Sequence, residues 1–289
     1  MRRIAFQGER GAFGHAAVAA VFAGEDAVPC ETFEETIAAV KSGRADLALL
    51  PVENSTYGRI TDIHHLLPES GLYIIGEYYL RVRMCLLAVP GAKLSDIKSV
   101  QSLSVALGQC RNFIRKHRLK TISAVDTAGS AREIAERGNK SVAAIASRLA
   151  AEIYGLEVLA QDIEDADHNT TRFLIMSPKQ IEAKPGKGVK TSFVFRVRNV
   201  PAALYKAMGG FATNAVNMTK LESYMIDGSF TATQFYADIE GHPSDVGVAH
   251  AMDELGFFTS YMKILGVYPA AEVSNGVSPK KAPRPRKRK

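Results

Sequence analysis

The chain has 289 residues, of which 46% are hydrophobic, so it is long and apolar enough for two or three globular folding units. Its formal net charge is +6, but seven positive charges without an acid lie between positions 280 and 289, and removing these seven leaves −1. A nearly neutral body argues against nucleic-acid binding by the folded part. We expect residues 273–289 to be a disordered basic tail, with a role on nucleic acid or another acidic surface as the alternative.

The cysteines, Cys30, Cys85 and Cys110, are odd in number and far apart, which argues against both a disulfide framework and a zinc site. Met1 precedes a short strand, and no apolar stretch is long enough for a signal peptide or a membrane span. We therefore expect a reduced, cytoplasmic protein that does not enter membranes.

From residue 3 to about 178, short apolar runs alternate with amphipathic stretches, which predicts α/β structure with parallel sheets. The first set of strands and helices covers residues 4–6, 12–22, 28–31, 33–40 and 47–50. The second set covers residues 71–80, 84–89, 103–115, 121–124, 128–136, 142–146 and 147–154. We expect two α/β lobes, the plan of periplasmic solute-binding proteins, with a ligand in the cleft at the carboxyl ends of the strands.

Residues 179–189 break this periodicity with Pro and Gly among charges, which predicts a linker between a domain at 1–178 and a separate domain at 190–272. The second domain has predicted strands and helices at 191–198, 201–211, 216–223, 230–239, 244–255 and 259–266. This βαββαβ order is ferredoxin-like. We expect Pro201 at the first helical position and Gly256 just past the second helix.

Polar segments follow two predicted strands of the first domain. Residues 8–14 lie between the first strand and the first helix, where the backbone N–H groups of Gly8 and Gly11 can receive a carboxylate or phosphate. The glycines of this segment lack the dinucleotide spacing, so a nucleotide fold is not favoured. Pro51 is predicted to end the third strand, and Glu53 is either a buried acid or a helix cap.

A third polar segment, Asn-Thr-Thr-Arg-Phe at residues 169–173, lies at the start of an apolar strand. Hydroxyls, an amide and a guanidinium together suit an anionic ligand. His64 and His65 fall in a predicted helix, where sequence neighbours cannot face one metal ion. We expect His168 to be an exposed loop residue rather than a catalytic one.

Together these segments resemble the prephenate dehydratase family of phenylalanine synthesis. The resemblance rests mainly on residues 51–55 with Gly58 and on residues 169–173, with further matches at 102–110 and 126–131. The unit at 190–272 resembles an ACT regulatory domain, and such domains bind amino acids between protomers. The resemblance implies prephenate as substrate, phenylalanine as effector, a homodimer or homotetramer, and no metal or organic cofactor.

The resemblance also implies roles for individual residues. Thr171 is the catalytic hydroxyl, which we expect to donate a hydrogen bond or relay a proton to the leaving oxygen. Arg172 is expected to pair with a substrate carboxylate or, because strand neighbours point oppositely, to be an orienting residue. The other expected substrate-binding residues are Phe173, Asn169, Asn54, Ser55, Gln109, Thr127, Gly8 and Gly11. The expected effector-binding residues are Ala203, Leu204, Asn217, Glu222 and Ser223.

The sequence departs from the family pattern in several places. Leu103-Ser104-Val105 stands where the family has His-Pro-Gln, so substrate contacts from those polar groups cannot be transferred. Arg10 and Gly14 replace a frequent proline and a frequent serine or threonine. In the regulatory unit, Ala202 replaces glycine and adds a methyl group, and Tyr224-Met225 replaces Arg-Pro.

Three alternatives remain open from the sequence. Arogenate carries an amine where prephenate carries a keto group and is an alternative substrate. A non-catalytic sensor built on the same two-lobed plan is the second, although a binder needs no weak proton donor at Thr171. A protein that interacts through its basic tail is the third.

Overall fold

A computed structural model describes residues 1–198, 200–225 and 234–272. The predicted tail at 273–289 and the first residues of the strand predicted at 230–239 lie outside the described residues. Within the described ranges the chain forms three β-sheets, two before residue 178 and one after it. Among the helices in these ranges, none has the length and apolar character needed to cross a membrane.

The chain before residue 178 alternates strands and helices, as the sequence pattern predicts. Its first elements are β1 (Arg3–Gln7), α1 (Phe13–Val21), β2 (Asp26–Cys30), α2 (Phe33–Lys41), β3 (Leu47–Asn54), β4 (Gly58–Arg59), α3 (Thr61–Leu66) and β5 (Tyr73–Arg81). They are followed by β6 (Cys85–Ala88), β7 (Ser99–Leu103), α4 (Ser104–Gln109), α5 (Arg111–Lys116), β8 (Lys120–Ala124), α6 (Thr127–Arg137), β9 (Val142–Ala146), α7 (Arg148–Tyr154), β10 (Glu157–Ala160) and β11 (Thr170–Ser177).

The first lobe has the strand order β2-β1-β3-β11-β5, with β4 paired to β3, and the second lobe has the order β10-β6-β9-β7-β8. Parallel pairing joins β1 to β2 and β3, and β7 to β8 and β9. However, β11 is antiparallel to β3 and β5, and β6 is antiparallel to β9 and β10. The predicted parallel pairing is thus present in both lobes, but each sheet also has antiparallel strands, and the placement of residues 71–80 in the second lobe is wrong. Chain order does not show that β11 returns to the first sheet and pairs with β5.

Two local predictions in the first domain also need correction. Pro51 does not end its strand, because β3 continues to Asn54. A proline is tolerated there since β1 pairs with β3 only as far as Leu49, and the β3–β11 register shifts beside Pro51. The single helix predicted at 103–115 is two helices, which are separated at Cys110 by a non-helical backbone with ψ of 26°.

The chain after residue 188 folds as β12 (Val189–Val197), α8 (Ala203–Thr213), β13 (Met218–Tyr224), β14 (Gln234–Glu240), α9 (Val246–Phe258) and β15 (Thr259–Pro269). The strand order β13-β14-β12-β15 and the βαββαβ element order together are ferredoxin-like. Pro201 precedes α8 rather than starting it, because Ala202 adopts a left-handed φ of 61° before the helix. Gly256 lies inside α9, which continues to Phe258.

This C-terminal domain packs directly against the first lobe. Leu174 and Met176 of β11 share one hydrophobic core with Val194, Tyr236 and Tyr268 of the C-terminal sheet. The aromatic ring of Tyr236 also meets the first lobe edge-on, with 5.1 Å between its centroid and that of the His64 ring in α3. The two domains therefore share buried surface, although residues 178–188 between them form no helix or strand.

Candidate active site

The strands β3 and β11 lie side by side and bring the two polar segments of the sequence together. Thr171 pairs with Asn54, and Arg172 pairs with Glu53. Because successive side chains on a strand point to opposite faces, these two consecutive pairs lie on opposite faces of the sheet. Thr171 and Asn54 share one face, while Arg172 and Glu53 share the other.

A compact hydrogen-bond network surrounds Thr171. The Asn54 side-chain nitrogen Nδ2 donates to Thr171 Oγ1 at 2.9 Å and to Asn169 Oδ1 at 2.8 Å. Asn54 Oδ1 accepts from the backbone nitrogens of Thr56 and Tyr57 at 2.9 and 3.1 Å. Those two donors fix the orientation of the Asn54 amide, since the opposite orientation would face N–H against N–H. Thr171 therefore accepts a hydrogen bond from Asn54, and its own hydrogen is left to donate.

Ser55 and the turn before β11 complete this network. Ser55 Oγ donates to the backbone oxygen of His168 at 2.7 Å and accepts from the Thr170 nitrogen at 2.9 Å. Asn169 is buried, and its Nδ2 is without a hydrogen-bond partner among the described residues. An unsatisfied buried donor is costly unless a ligand or water meets it. The structure thus brings Asn54, Ser55, Asn169 and Thr171 together, as the sequence predicts.

Arg172 does not share this face. Its side chain is only 3% exposed and donates four hydrogen bonds of 2.6 to 3.0 Å, to Glu53, Glu77, Asp238 and the Tyr268 hydroxyl. Its Nη2 atom also lies 2.7 Å from Glu77 Oε2. Every nitrogen of the guanidinium is thus engaged inside the protein, so the group is not presented to a substrate carboxylate. The expected pairing of Arg172 with substrate is corrected accordingly, and its contacts fit the alternative of an orienting residue.

Glu53 is held as an anion by the same cluster. Burial by itself would raise the pKa of Glu53, but Lys220 at 2.5 Å and Arg172 at 2.9 Å lower that pKa below its ordinary value. A carboxyl group of lowered pKa stays ionised near neutral pH. The expectation that Glu53 is a proton donor or a helix cap is therefore replaced by a role in an ion-pair network.

The glycine segment at residues 8–14 joins the lobes rather than presenting free N–H groups. The Gly8 nitrogen donates to the Cys30 carbonyl at 2.8 Å, and the Gly11 nitrogen donates to His15 Nδ1 at 3.0 Å. The Gly11 carbonyl also accepts from Ser147 Oγ at 2.5 Å across the lobe boundary. The predicted role of the Gly8 and Gly11 N–H groups in anion binding is at odds with these bonds.

Gln109 and Thr127 lie in the second lobe, and Phe173 lies in the first. Gln109 ends α4 and Thr127 begins α6, and both are buried. Phe173 is 2% exposed in the core that contains Ile4 and Phe6, so it supports the sheet beneath Thr171 and presents almost no surface to a ligand. Its expected place beside a substrate ring is not supported by this burial.

Two contacts that the sequence analysis did not identify join the first lobe to the second lobe. The Tyr57 hydroxyl lies 3.4 Å from the Val105 carbonyl of α4. Glu9 of the glycine segment forms a two-pronged ion pair with Arg132 of α6, at 3.0 and 3.1 Å. Within the first lobe, Arg81 at the end of β5 donates to the backbone oxygen of residue 169 at 2.8 Å and so holds the turn before β11. Nothing in the local sequence around Tyr57, Glu9 or Arg81 indicates these partners.

The expected effector residues lie at two ends of the C-terminal sheet. Ala203 and Leu204 start α8 near the end of β13 that carries Glu222 and Ser223, because β12 and β13 run in the same direction on either side of β14. Asn217 precedes β13 and lies at the opposite end. A single copy of the chain therefore does not bring all five residues together.

Comparison with known proteins identifies the family of this chain. A family model described as prephenate dehydratase matches residues 4–181. The chain is 52% identical to a bifunctional N-acyl-homoserine lactone acylase/prephenate dehydratase of Komagataeibacter europaeus, over 93% of this chain and 96% of that protein. It is 40% identical to arogenate dehydratase/prephenate dehydratase 1 of Arabidopsis thaliana, over 92% of this chain and 72% of that protein.

A solved structure of a prephenate dehydratase is also similar to this chain. The prephenate dehydratase of Arthrobacter aurescens in complex with L-Phe is 30% identical, superposes with a TM-score of 0.85, and aligns over 96% of this chain and 92% of that one. The fold and the site thus define an α/β enzyme of the dehydratase class, a carbon–oxygen lyase. The chain belongs to the prephenate dehydratase family. Membership of an enzyme family argues against the alternative that the protein is a non-catalytic sensor.

Proposed function

We propose that this protein converts prephenate to phenylpyruvate, carbon dioxide and water in the synthesis of phenylalanine. One observation carries the proposal: Asn54 donates to Thr171 Oγ1 and leaves the Thr171 hydrogen free to donate. Among the described residues, no acceptor is found for that hydrogen. In our proposal, this hydroxyl donates to a ligand oxygen in the cleft between the lobes.

The chemistry requires concerted loss of two groups from the prephenate ring. The bond from the ring to its carboxylate breaks and releases carbon dioxide, and that electron pair enters the ring as the C4–O bond breaks. The departing hydroxide receives a proton and leaves as water. We assign the hydrogen bond or proton relay to the leaving oxygen to Thr171, which is a weak acid, and aromatisation of the ring supplies much of the driving force.

The surroundings of Thr171 suit a reaction that loses carbon dioxide. Asn54, Ser55 and Asn169 are neutral, so they orient the substrate without stabilising the carboxylate that must depart. The unsatisfied Asn169 Nδ2 is our candidate donor to the other substrate carboxylate or the keto oxygen. Gln109 and Thr127 are proposed to contribute from the second lobe.

We also propose that the domain at 190–272 is an ACT regulatory domain that binds phenylalanine between two copies of the chain. The Arthrobacter aurescens relative in complex with L-Phe supports this proposal. Because β13 is an edge strand, antiparallel pairing with its copy would bring Asn217 of one chain near Glu222 and Ser223 of the other. A homodimer or a homotetramer built from such dimers follows.

A cytoplasmic location is proposed on the ground of thiol chemistry. Cys30, Cys85 and Cys110 are free and buried, and unpaired cysteines are typical of proteins in a reducing compartment. The proposed place of the enzyme in amino-acid synthesis is consistent with that compartment.

Turnover of purified protein tests the proposed reaction directly. The wild-type protein is incubated with prephenate, and formation of phenylpyruvate is followed with and without phenylalanine. Arogenate is tested in parallel because the Arabidopsis thaliana relative carries both names. The Thr171→Ala variant is expected to lose about 100-fold or more in kcat, the range for a lost proton-transfer group. Wild-type turnover in this variant would remove Thr171 from the mechanism.

A second activity is proposed from one relative. The Komagataeibacter europaeus protein, which is matched over 96% of its length, is named as an N-acyl-homoserine lactone acylase as well as a prephenate dehydratase. The corresponding reaction adds water to an amide and releases a fatty acid and homoserine lactone. Incubation with an N-acyl-homoserine lactone, with release of homoserine lactone as the readout, decides whether this chain shares the activity. Absence of release at micromolar enzyme would reject it.

A further inference from the structure

The face of β11 opposite Thr171 opens on a charged pocket between the first lobe and the C-terminal domain. The pocket has a volume of about 330 Å³. Its lining residues come from both domains and include Glu53, Tyr79 and Arg172 on one side and Lys220, Glu222 and Asp238 on the other. The pocket thus lies where the proposed catalytic strand meets the proposed regulatory domain.

Arg172 is held at this boundary by two strands of the C-terminal sheet. Its Nη1 atom lies 2.6 Å from Asp238 Oδ2 of β14, and its Nη2 atom donates to the Tyr268 hydroxyl of β15 at 3.0 Å. Both contacts are buried. The guanidinium of β11 is therefore fixed in part by residues of the other domain.

Two further ion pairs join the domains beside Arg172. Lys220 of β13 binds Glu53 of β3 at 2.5 Å. Lys190 of β12 binds Glu77 of β5 at 2.8 Å. With the contacts of Arg172, each strand of the C-terminal sheet supplies a group that binds a charged residue of the first lobe.

The two residues at the centre of this cluster are the chain neighbours of the two residues at the centre of the site. Glu53 precedes Asn54, and Arg172 follows Thr171. The same residues form consecutive pairs across β3 and β11, Glu53 with Arg172 and Asn54 with Thr171. A displacement of Arg172 or Glu53 is thus transmitted to Thr171 and Asn54 through one peptide bond in each strand.

We propose that Arg172 is a positioning residue through which docking of the C-terminal domain fixes the Thr171–Asn54 pair. Asp238 and Tyr268 hold the Arg172 guanidinium from the C-terminal side, and acidic residues of β3 and β5 hold it from the first lobe. Release of the C-terminal contacts would free β11 to shift and would misdirect the Thr171 hydroxyl. The inference rests on the proposed dehydration only for its kinetic readout.

The test compares the full-length wild-type chain with Asp238→Asn, Tyr268→Phe and Arg172→Lys. Lysine keeps the positive charge but cannot bind three carboxylates and a phenol in the geometry of a guanidinium. We expect Asp238→Asn and Arg172→Lys to lower kcat for prephenate about tenfold or more, the effect of one lost charged hydrogen bond, with KM changed less than about twofold. Tyr268→Phe is expected to give a smaller loss in the same direction. Glu254→Gln is the matched control, because Glu254 lies in the same domain and binds only Asn214 by side-chain hydrogen bonding among the described residues.

Hydrogen exchange of the amides at residues 170–177 gives a readout independent of turnover. We expect faster exchange in Asp238→Asn and Arg172→Lys and no change in Glu254→Gln. Wild-type kcat and wild-type exchange in both Asp238→Asn and Tyr268→Phe would overturn the inference, as would a large rise in KM at unchanged kcat and exchange in Arg172→Lys. If Asp238→Asn does not fold, Tyr268→Phe, which removes a single oxygen, decides. Absence of prephenate turnover in the wild type would reject the proposed function, and the exchange data would still test the coupling.

Discussion

The two faces of the β3–β11 pair differ in charge, although their residues alternate along the same strands. One face carries Thr171 and Asn54, which are neutral and joined by a single hydrogen bond of 2.9 Å. The other face carries Arg172 and Glu53 in a network of buried ion pairs that reaches Asp238. We conclude that the charged residues on one face hold the two domains together. The neutral, hydrogen-bonded residues on the other face take part in the proposed chemistry.

This division has a physical reason. A reaction that expels a carboxylate as carbon dioxide is slowed by cations that stabilise that carboxylate in the ground state. A buried guanidinium, in contrast, needs several carboxylates around it to offset its loss of hydration. Burial opposes the charge of Arg172, but the phenols and carboxylates near it, Tyr236 and Asp238 among them, raise its pKa further above the ordinary value. Arg172 is therefore permanently charged and permanently occupied.

The largest expected effect concerns the neutral face. Asn54→Asp replaces the Nδ2 donor with an acceptor, which would receive the Thr171 hydrogen and withdraw it from the substrate. We expect kcat for prephenate to fall about 100-fold or more. The matched control is Asn139→Asp, because the Asn139 side chain is exposed and acts as an acceptor to Ser141. Equal activity of the two variants would show that the Asn54–Thr171 bond plays no part in turnover.

The next effect compares buried and exposed ion pairs. Arg172→Met leaves Asp238 buried without its cation and leaves Glu77 with Lys190 alone, and we expect the free energy of unfolding to fall by about 3–5 kcal/mol. Arg132→Met breaks the more exposed pair with Glu9 and is expected to cost less than about 1 kcal/mol. Urea denaturation measures both. A smaller loss for Arg172→Met than for Arg132→Met would contradict our interpretation of the charged face.

The next comparison measures how much close packing between the two lobes contributes to stability. It uses two glycines that both have a left-handed backbone. A Cβ atom on Gly11, with φ of 91°, would lie 2.9 Å from Ala150 Cα in the second lobe. On Gly24, with φ of 82°, it would meet no atom within 4 Å. We expect Gly11→Ala to cost about 2–4 kcal/mol from strain and overpacking, and Gly24→Ala about 1 kcal/mol from strain alone. Thermal unfolding of both variants checks this, and equal costs would argue against close contact between the lobes.

The smallest effect is a pH dependence at the domain boundary. Burial, aided by Lys220, lowers the pKa of His64 to about 4, against the weaker opposing effects of the Val52 carbonyl, Glu222 and Glu53. The unfolded chain binds a proton at His64 near its ordinary pKa of 6.5 and the folded chain does not until about pH 4. The contribution of His64 to stability is therefore complete above about pH 6.5 and is lost as the pH falls to about 4.

The His64→Gln variant isolates this contribution. We expect the wild type to lose on the order of 2 kcal/mol more than the variant between about pH 7 and pH 4, as measured by urea unfolding at each pH. His168→Gln, a change at an exposed histidine, is the control and should follow the wild type. Parallel pH curves for the wild type and His64→Gln would mean that His64 is free to charge in the folded protein.

Much of the fold follows from local sequence patterns. Residues 142–146 form the predicted strand, and the helix predicted at 33–40 begins at Phe33 because Thr32 caps it by accepting from the Glu35 nitrogen. What the pattern does not contain is the partner of a strand. Long-range pairing decides the return of β11 beside β3, so chain order alone does not predict the mixed sheets.

The candidate site divides in the same way. The family resemblance, carried by polar segments at strand ends, predicts that Asn54, Asn169 and Thr171 belong to one site. Strand alternation raises the alternative that Arg172 faces away from Thr171, but only the docked C-terminal domain identifies its partners in β14 and β15. The neutral face is therefore predicted through motifs that resemble a known family, whereas the charged face depends on contacts between distant parts of the chain.

The position of a bound ligand tests the central claim most directly, because the two faces of β11 are on opposite sides of one sheet. The measurement is a crystal structure of the Thr171→Val variant, which keeps the side-chain shape without the hydroxyl, soaked with prephenate. We predict density between the lobes, with the ring beside the substituted side chain and a carboxylate or keto oxygen near Asn169 Nδ2. Density in the pocket beside Arg172 and Lys220, with the cleft between the lobes empty, would contradict the account.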